Sequence, residues 1–356
     1  MTSSAVQSEP LSVGLESRYG RFVRRRALVL AGLVLATVGA LLLDLASGAS
    51  GLGLADLLVG ILDPQSLSRA EQVIVWQVRL PTALMAVLVG AALGLAGAEM
   101  QTVLNNPLAS PFTLGVAAAA TLGAALAIAF DLALPGFGPD LAISGAAFAF
   151  ALAATLAVQV LAHAYRADTG IVVLFGIALY FALNACEWLV HLVSTADASQ
   201  QIVFWTMGSF ARANWDKLAI VVVALAVCLP FSLRRAWAMT ALRGGEEHAA
   251  SLGIQVGRLR LGALFRVGLL TAVAVAFVGE IGFVGLVGPH IARLALGEDH
   301  RFYLPGSALA GALLLALASV ASKTLVPGMI LPVGIVTALV GIPLFIALIL
   351  TQRRPR

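Results

Sequence analysis

The sequence predicts an all-α polytopic membrane protein of about ten transmembrane helices, and three observations predict it. Of the 356 residues, 60% are hydrophobic and 11% are charged, where an average soluble domain carries roughly 25% charged residues. Mean hydropathy is +0.98. Apolar stretches near or above the ~20 residues that span a bilayer recur along almost the whole chain. They fall at 27–47, 80–101, 112–130, 141–163, 170–193, 217–233, 260–279, 281–296, 303–322 and 331–350. Glycine and proline interrupt several of them, as suits helices that pack closely or break within a membrane.

The chain opens on a Ser-rich stretch, 1–26, ending in Arg21, Arg24, Arg25 and Arg26. The apolar run from Ala27 is long enough to span and shows no distinct small-residue cleavage site, so an uncleaved first helix is expected. This divides the chain into a cytoplasmic tail at 1–26, one transmembrane domain at 27–351 and a short tail at 352–356. In the second span Gly90, Gly94 and Gly97 place small residues three and four apart, a surface that lets backbones approach. Glu99 follows near the expected cytoplasmic end of that helix, where it can reach the interface. Asn105 to Pro111 is a turn by composition, with Ser110 an N-cap and Pro111 the first residue of the third span.

On the fifth span Glu187 and His191 stand four apart on one helical face; a structural pair and a proton relay both remain open. Cys186 and Cys228 lie inside apolar spans and read as small buried hydrophobes, so neither a disulfide nor a metal site is indicated. The longest cytoplasmic loop runs from about 234 to 259. Within it Arg243 to Ile254 reads as one short helix. Gly245 starts it, Glu246 and Glu247 fall in the first turn where the helix dipole favours acids, His248 follows, and Gly253 stops it. Ala249, Leu252 and Ile254 make one side partly apolar, and a docking element and a solvated connector both fit. Glycines at 279, 282, 285 and 288 describe either a helix with a smooth seam or a broken helix pair, closed by Pro289. Glu280 falls at the outer junction of two spans.

Orientation follows from the basic residues. With ten spans and the N-terminal arginines inside, the cytoplasmic segments hold Arg166, Arg234, Arg235, Arg243, Arg258, Arg260, Arg301, Arg353, Arg354 and Arg356. The outside holds only Arg69, Arg79, Arg212, Lys217 and Lys323. That is the positive-inside pattern, with both termini cytoplasmic. The net charge of +4 therefore reflects topology and anionic lipid contact, and nucleic-acid binding is a poor reading of it. A phosphate-cradling loop needs Gly-x-x-x-x-Gly-Lys-Ser/Thr, and neither Lys217 nor Lys323 sits in one. The five histidines are dispersed without ligand spacing. No catalytic residue, metal site or cofactor is expected on this chain, and any ATP that powers its work is bound by another subunit.

Several phrases carry a family resemblance. They are Trp76-Gln77-Val78-Arg79-Leu80-Pro81, Gly90-Ala91-Ala92-Leu93 with Met100-Gln101, Asn106 to Pro111 leading to Leu114-Gly115, and Trp205 to Phe210. The Glu246–Gly253 loop, Ile281 to Leu286 with Pro289 to Arg293, Asp299-His300-Arg301 and Leu331-Pro332-Val333-Gly334 complete them. In order and spacing the chain resembles the permease subunits of the iron-chelate uptake (FecCD-type) family, which import siderophores, haem or cobalamin. The resemblance implies a type II ABC importer permease with oppositely oriented halves, helices 2–5 and 7–10. Its implied partners are a second permease subunit (a copy or a homologue), two cytoplasmic ATPase subunits holding ATP-Mg, and an external binding protein that delivers an iron chelate. It assigns ATPase coupling to Arg243, Gly245, Glu246, Glu247, His248, Ala249, Leu252 and Gly253. Pathway and gate fall to Trp205, Met207, Gly208, Gly282, Gly285 and Pro289, with Trp205–Phe210 forming a short extra helix at the outer mouth. Arg79 and Lys323 become binding-protein contacts. Thr82, Ser319 and Ile330 depart from the family pattern of charges there, and Lys323 lacks the fork of the usual arginine.

The expected function is a permease of the bacterial plasma (inner) membrane, carrying a ferric siderophore through an alternating-access path. Haem and cobalamin are the alternatives. A proton-coupled transporter using Glu187, His191 and Glu280, and a structural membrane protein, are the rivals from other classes.

Overall fold

Among the described residues of the computed structural model, seven helices are long and apolar enough to cross a membrane, and three shorter apolar helices bring the set to ten. Residues 11–48, 53–132, 138–165 and 169–352 are described. Arg166, Arg353, Arg354, Arg356 and the first ten residues of the tail lie outside them. The order is α1 Leu11–Ala46, α2 Leu54–Leu62, α3 Arg69–Val73, a π-helical turn Ile74–Arg79, α4 Leu80–Val103, α5 Val116–Ala129, α6 Pro139–Ala164 and α7 Thr169–Val193. It continues with α8 Ala196–Thr206, α9 Trp215–Arg234, α10 Ala236–Leu242, α11 Glu246–Ser251, α12 Val256–Val278, α13 Val284–Leu296, α14 His300–Thr324 and α15 Val333–Gln352. Each of the ten expected spans coincides with one helix: α1, α4–α7, α9 and α12–α15.

Two runs of four helices repeat one rhythm. In α4–α7 the lengths are 24, 14, 26 and 25 residues; in α12–α15 they are 23, 13, 25 and 20. The short member is made the same way each time, by residues that adopt the left-handed backbone region before it. Gly115 has φ 75° ahead of α5; Gly279 and Phe283 have φ 82° and 67° ahead of α13. Only glycine takes such angles cheaply, so Phe283 stands in a costly conformation that its surroundings must hold. The two runs correspond to the expected halves, helices 2–5 and 7–10.

The core is a glycine seam where α4 meets α13 and α14. A β-carbon on Gly90 or Gly94 would run into the backbone of Gly311 or Ser307, and one on Gly97 into the backbone of Gly285. Removing side chains lets these backbones touch, which is how helices associate where lipid supplies no hydrophobic drive. α12 is central, with 72% of its apolar window buried, whereas α7 has 11% and is peripheral. Phe181, Trp188 and Leu189 on α7 are accordingly exposed.

Several expectations need correction. The first helix begins at Leu11, so the tail at 1–26 is helical well before the boundary placed at Ala27. Ser110 and Pro111 do cap and start a helix, but it is the 3-10 turn Pro111–Leu114; the span itself starts after Gly115. Pro289 does not close the glycine stretch. The helix breaks at 279–283 and resumes at Val284, with Pro289 inside α13. The phrase Trp205–Phe210 is not a helix of its own: α8 ends at Thr206, Gly208 turns with φ 75°, and a 3-10 turn begins at Phe210. The 234–259 loop holds two helices, α10 besides α11.

Candidate functional site

Three phrases far apart in sequence meet at the end of the bundle that the sequence assigns to the outside. Ser209 N–H donates to Val278 O at 2.7 Å, Val333 N–H to Gly208 O at 3.1 Å and Gly334 N–H to Met207 O at 3.1 Å. The end of α12, just before the break, and the start of α15 are thus both tied to the turn after α8 by backbone bonds. Glycine is required at the crossing. A β-carbon on Gly334 would meet Glu280 O at 2.8 Å, and one on Gly208 would meet it at 2.7 Å. Met207, Gly282 and Glu280 face one open groove with Thr206, Gly334 and Leu339. Trp205 is buried behind it with the Arg212 guanidinium 5.4 Å from its ring. Gly285 and Pro289 are set apart, buried in α13. Gly285 lies against Gly97 and its carbonyl accepts from Gln101 Nε2 at 3.4 Å. Of the six expected gate residues, Met207, Gly208 and Gly282 therefore share the junction, Trp205 backs it, and Gly285 and Pro289 belong to the helix seam.

Arg79 and Lys323 come together in one cavity of about 440 Å³, beside Thr82, Ser319 and Ile330. Neither points outward. Arg79 is 7% exposed and donates to Leu45 O at 2.8 Å. Lys323 Nζ pairs with Asp44 at 2.9 Å, and Asp44 is buried. Both charges are turned onto the C-terminal end of α1, a helix on which the sequence carried little family signal.

The end of the bundle that the sequence assigns to the cytoplasm is organised around α11. Gly245, with φ 108°, opens it and Gly253, with φ 80°, follows it. Ala249 is fully buried, while Glu247, His248 and Leu252 are exposed. Two ion pairs hold its base: Glu246 with Arg260 of α12, and Arg243 with Glu298. Arg260 Nε also donates to Val103 O at 3.1 Å, the last residue of α4. Glu298 in turn lies 3.5 Å from Arg293. His300 bridges Thr102 Oγ1 at 2.7 Å and Thr240 Oγ1 at 3.2 Å, joining α4, α10 and α14. Arg301 chelates Asp299, and its hydrogen bond holds that carboxyl below the usual carboxylate range, with Arg26 adding attraction at 3.5 Å.

Sequence reasoning missed Arg260, Glu298 and Thr102 as anchors. The phrase Gly297–Arg301 stood out, but nothing in it names distant partners. The structure also shows the surroundings of two further candidates. Glu99 does not reach an interface. It is fully buried in α4 and takes a two-pronged bond from Arg266 of α12, with contacts of 2.7 and 3.0 Å. Glu187 and His191 are 3.9 Å apart, and His191 also contacts Ser199 Oγ at 3.2 Å, which ties α7 to α8.

This geometry has relatives. The FecCD transport family matches residues 33–351. The hemin transport system permease protein of Yersinia pestis is 37% identical over 322 residues, covering 89% of this chain and 95% of that one. A vitamin B12 import system permease protein of Vibrio cholerae is 37% identical over 279 residues, covering 78% and 83%. Among solved structures, a metal-chelate type ABC transporter in an inward-facing conformation superposes with a TM-score of 0.80 at 31% identity, covering 91% of this chain and 99% of that one. Matched over residues 33–351 and more than a third identical to these permeases, the chain belongs to the FecCD transport family and is a membrane permease of the ABC-importer class.

Proposed function

We propose that this chain forms, with a second permease subunit, the translocation path for a metal chelate, a ferric siderophore, handed over by an external binding protein. Haem and cobalamin are the cargoes named for relatives. Two cytoplasmic ATPase subunits bind and hydrolyse ATP-Mg, and the chain itself is a pathway without catalysis or cofactor. The observation that carries the reading is the mounting of α11. Its base is held by Arg260 and by the Arg243–Glu298 pair, and its outer face offers Glu247, His248 and Leu252. A partner that pushes on this face moves α12 directly. Through Arg260 and the Val103 carbonyl it also moves the end of α4. Helices that meet over glycine can shift past each other without breaking side-chain interlocks.

The groove at the outer junction suits a bulky cargo that stays in its chelator. Small and apolar residues line it, with Glu280 the one carboxylate among them, so it has no ligand set to strip a metal. The basic residues along the cytoplasmic segments orient both termini inward in the plasma membrane. The coupling assignment is tested by Glu247→Arg and Leu252→Trp in the reconstituted importer. Cargo transported per ATP hydrolysed, in the presence of the cargo-loaded binding protein, should fall at least about tenfold. Unchanged coupling would contradict the role of α11. Growth of a deletion strain on single iron sources tests the cargo: rescue by haem alone would replace the siderophore.

A further inference from the structure

The cytoplasmic ends of α9 and α12 enclose a cavity of about 570 Å³ lined by Arg234, Arg235, Arg258 and Arg266, with Phe231 and Trp237 at its side. Glu99 neutralises Arg266 in the two-pronged pair. The other three guanidinium groups have no ion pair among the described residues, and Arg234 rests 5.5 Å from the Phe231 ring. All three side chains are exposed. Three like charges gathered around one hollow repel each other unless an anion joins them.

We propose that this hollow holds the phosphate of one anionic phospholipid of the inner leaflet. The neighbouring surface chooses a lipid over a soluble anion. Ile220, Val223, Val227 and Phe231 follow one another at spacings of three and four along one face of α9, each between 46% and 61% exposed. That apolar strip runs away from the arginines into the bilayer, as an acyl chain does from its headgroup. Trp237, 62% exposed at the base, is of the kind that settles at headgroup depth. Arginine forks match phosphate oxygens in pairs, and basic hollows on the cytoplasmic side are where anionic headgroups dock. Leu252, Gly253 and Ile254, just after α11, form part of the rim, so an occupied site buttresses the segment that leads from α11 into α12. The site is independent of which cargo the importer carries.

The test uses the full chain in phosphatidylcholine nanodiscs titrated with phosphatidylglycerol and read by native mass spectrometry. Wild type is expected to retain one phosphatidylglycerol per chain. Arg234→Gln with Arg235→Gln and Arg258→Gln should weaken that retention roughly a hundredfold, each arginine contributing about fivefold. The corresponding lysine variants should stay within about tenfold of wild type, since charge is kept while the fork is lost. Arg21→Gln with Arg24→Gln and Arg25→Gln, elsewhere among the cytoplasmic charges, should change nothing. The melting temperature of the triple variant in phosphatidylcholine, equal to wild type, separates loss of the site from loss of the fold; Arg235→Gln alone, about fivefold weaker, serves if the triple variant does not fold. Unaltered retention in these variants overturns the proposal. Displacement of the lipid by inorganic phosphate at similar affinity reassigns the hollow to a soluble anion. A triple variant that keeps its lipid but no longer assembles with the ATPase subunits reassigns it to a protein contact.

Discussion

Glu99 and Arg266 are the residues on which the membrane interior places the heaviest demand. A carboxylate with no exposure, on a helix surrounded by apolar neighbours, persists because both its oxygens accept from one guanidinium. Removing one partner strands the other, which typically costs about 3–5 kcal/mol, whereas replacing both by apolar groups is often neutral. Glu99→Ala should therefore lower the melting temperature of the purified chain sharply, and Glu99→Leu with Arg266→Met should recover most of the loss. An unstable double variant would mean that the pair serves more than packing. Sequence position alone placed Glu99 near a helix end and missed this, because its partner lies 167 residues away and only the α4–α12 contact brings them together.

Among elements, the junction between α13 and α14 shows how a short phrase governs an element's entry angle. Asp299 caps α14 by accepting from Arg301 N–H at 3.1 Å, while its carboxylate also faces Arg26 and the Arg301 side chain. Its folded pKa is depressed, so its charge stabilises the native state fully above the unfolded value of about 3.9. The stabilisation is lost as pH falls through the lower folded value. Asp299→Asn keeps a capping side chain but removes the charge. It should be less stable than wild type at pH 7, with the difference closing below about pH 4. Denaturation of both proteins across that range checks the sign; a difference that grows on acidification would contradict it. The short helix α11 was legible in the same way, from Gly245, Glu246 and Gly253, because caps and dipole are local. Its mounting on Arg260 and Glu298 was not, since long-range ion pairs leave no local mark.

For the whole molecule, the unexpected feature is where the outer charges go. Arg79 and Lys323 were expected to face an external partner, yet α1 engages both through Leu45 O and Asp44. If they receive acidic groups of a binding protein, those groups compete with contacts made inside the chain. Arg79→Glu with Lys323→Glu should weaken association at least about tenfold, with the wild-type complex weakening as salt rises. Asp44→Asn, which releases Lys323, should shift affinity in the opposite direction. Equal affinity in all three proteins would remove these residues from the interface. Trp188, Leu189, Leu339 and Val340 leave the faces of α7 and α15 apolar and exposed, as the lipid and the second permease proposed above would need.

What the sequence by itself determined is the set of ten helices and the class of protein. Each follows from local physics: an apolar run must be helical where no water can satisfy its backbone, and glycine or proline marks where a run must break. The same local reading left 279–288 open between a continuous and a broken helix. Only the tertiary structure decided for the break: Gly279 and Phe283 take positive φ, and Ser209 N–H, from the turn after α8, bonds Val278 O where α12 ends. It likewise decided which charges are buried pairs, which anchor α11 and which remain open to a ligand, since a charge is read by what lies within a few ångströms of it and not by its neighbours along the chain.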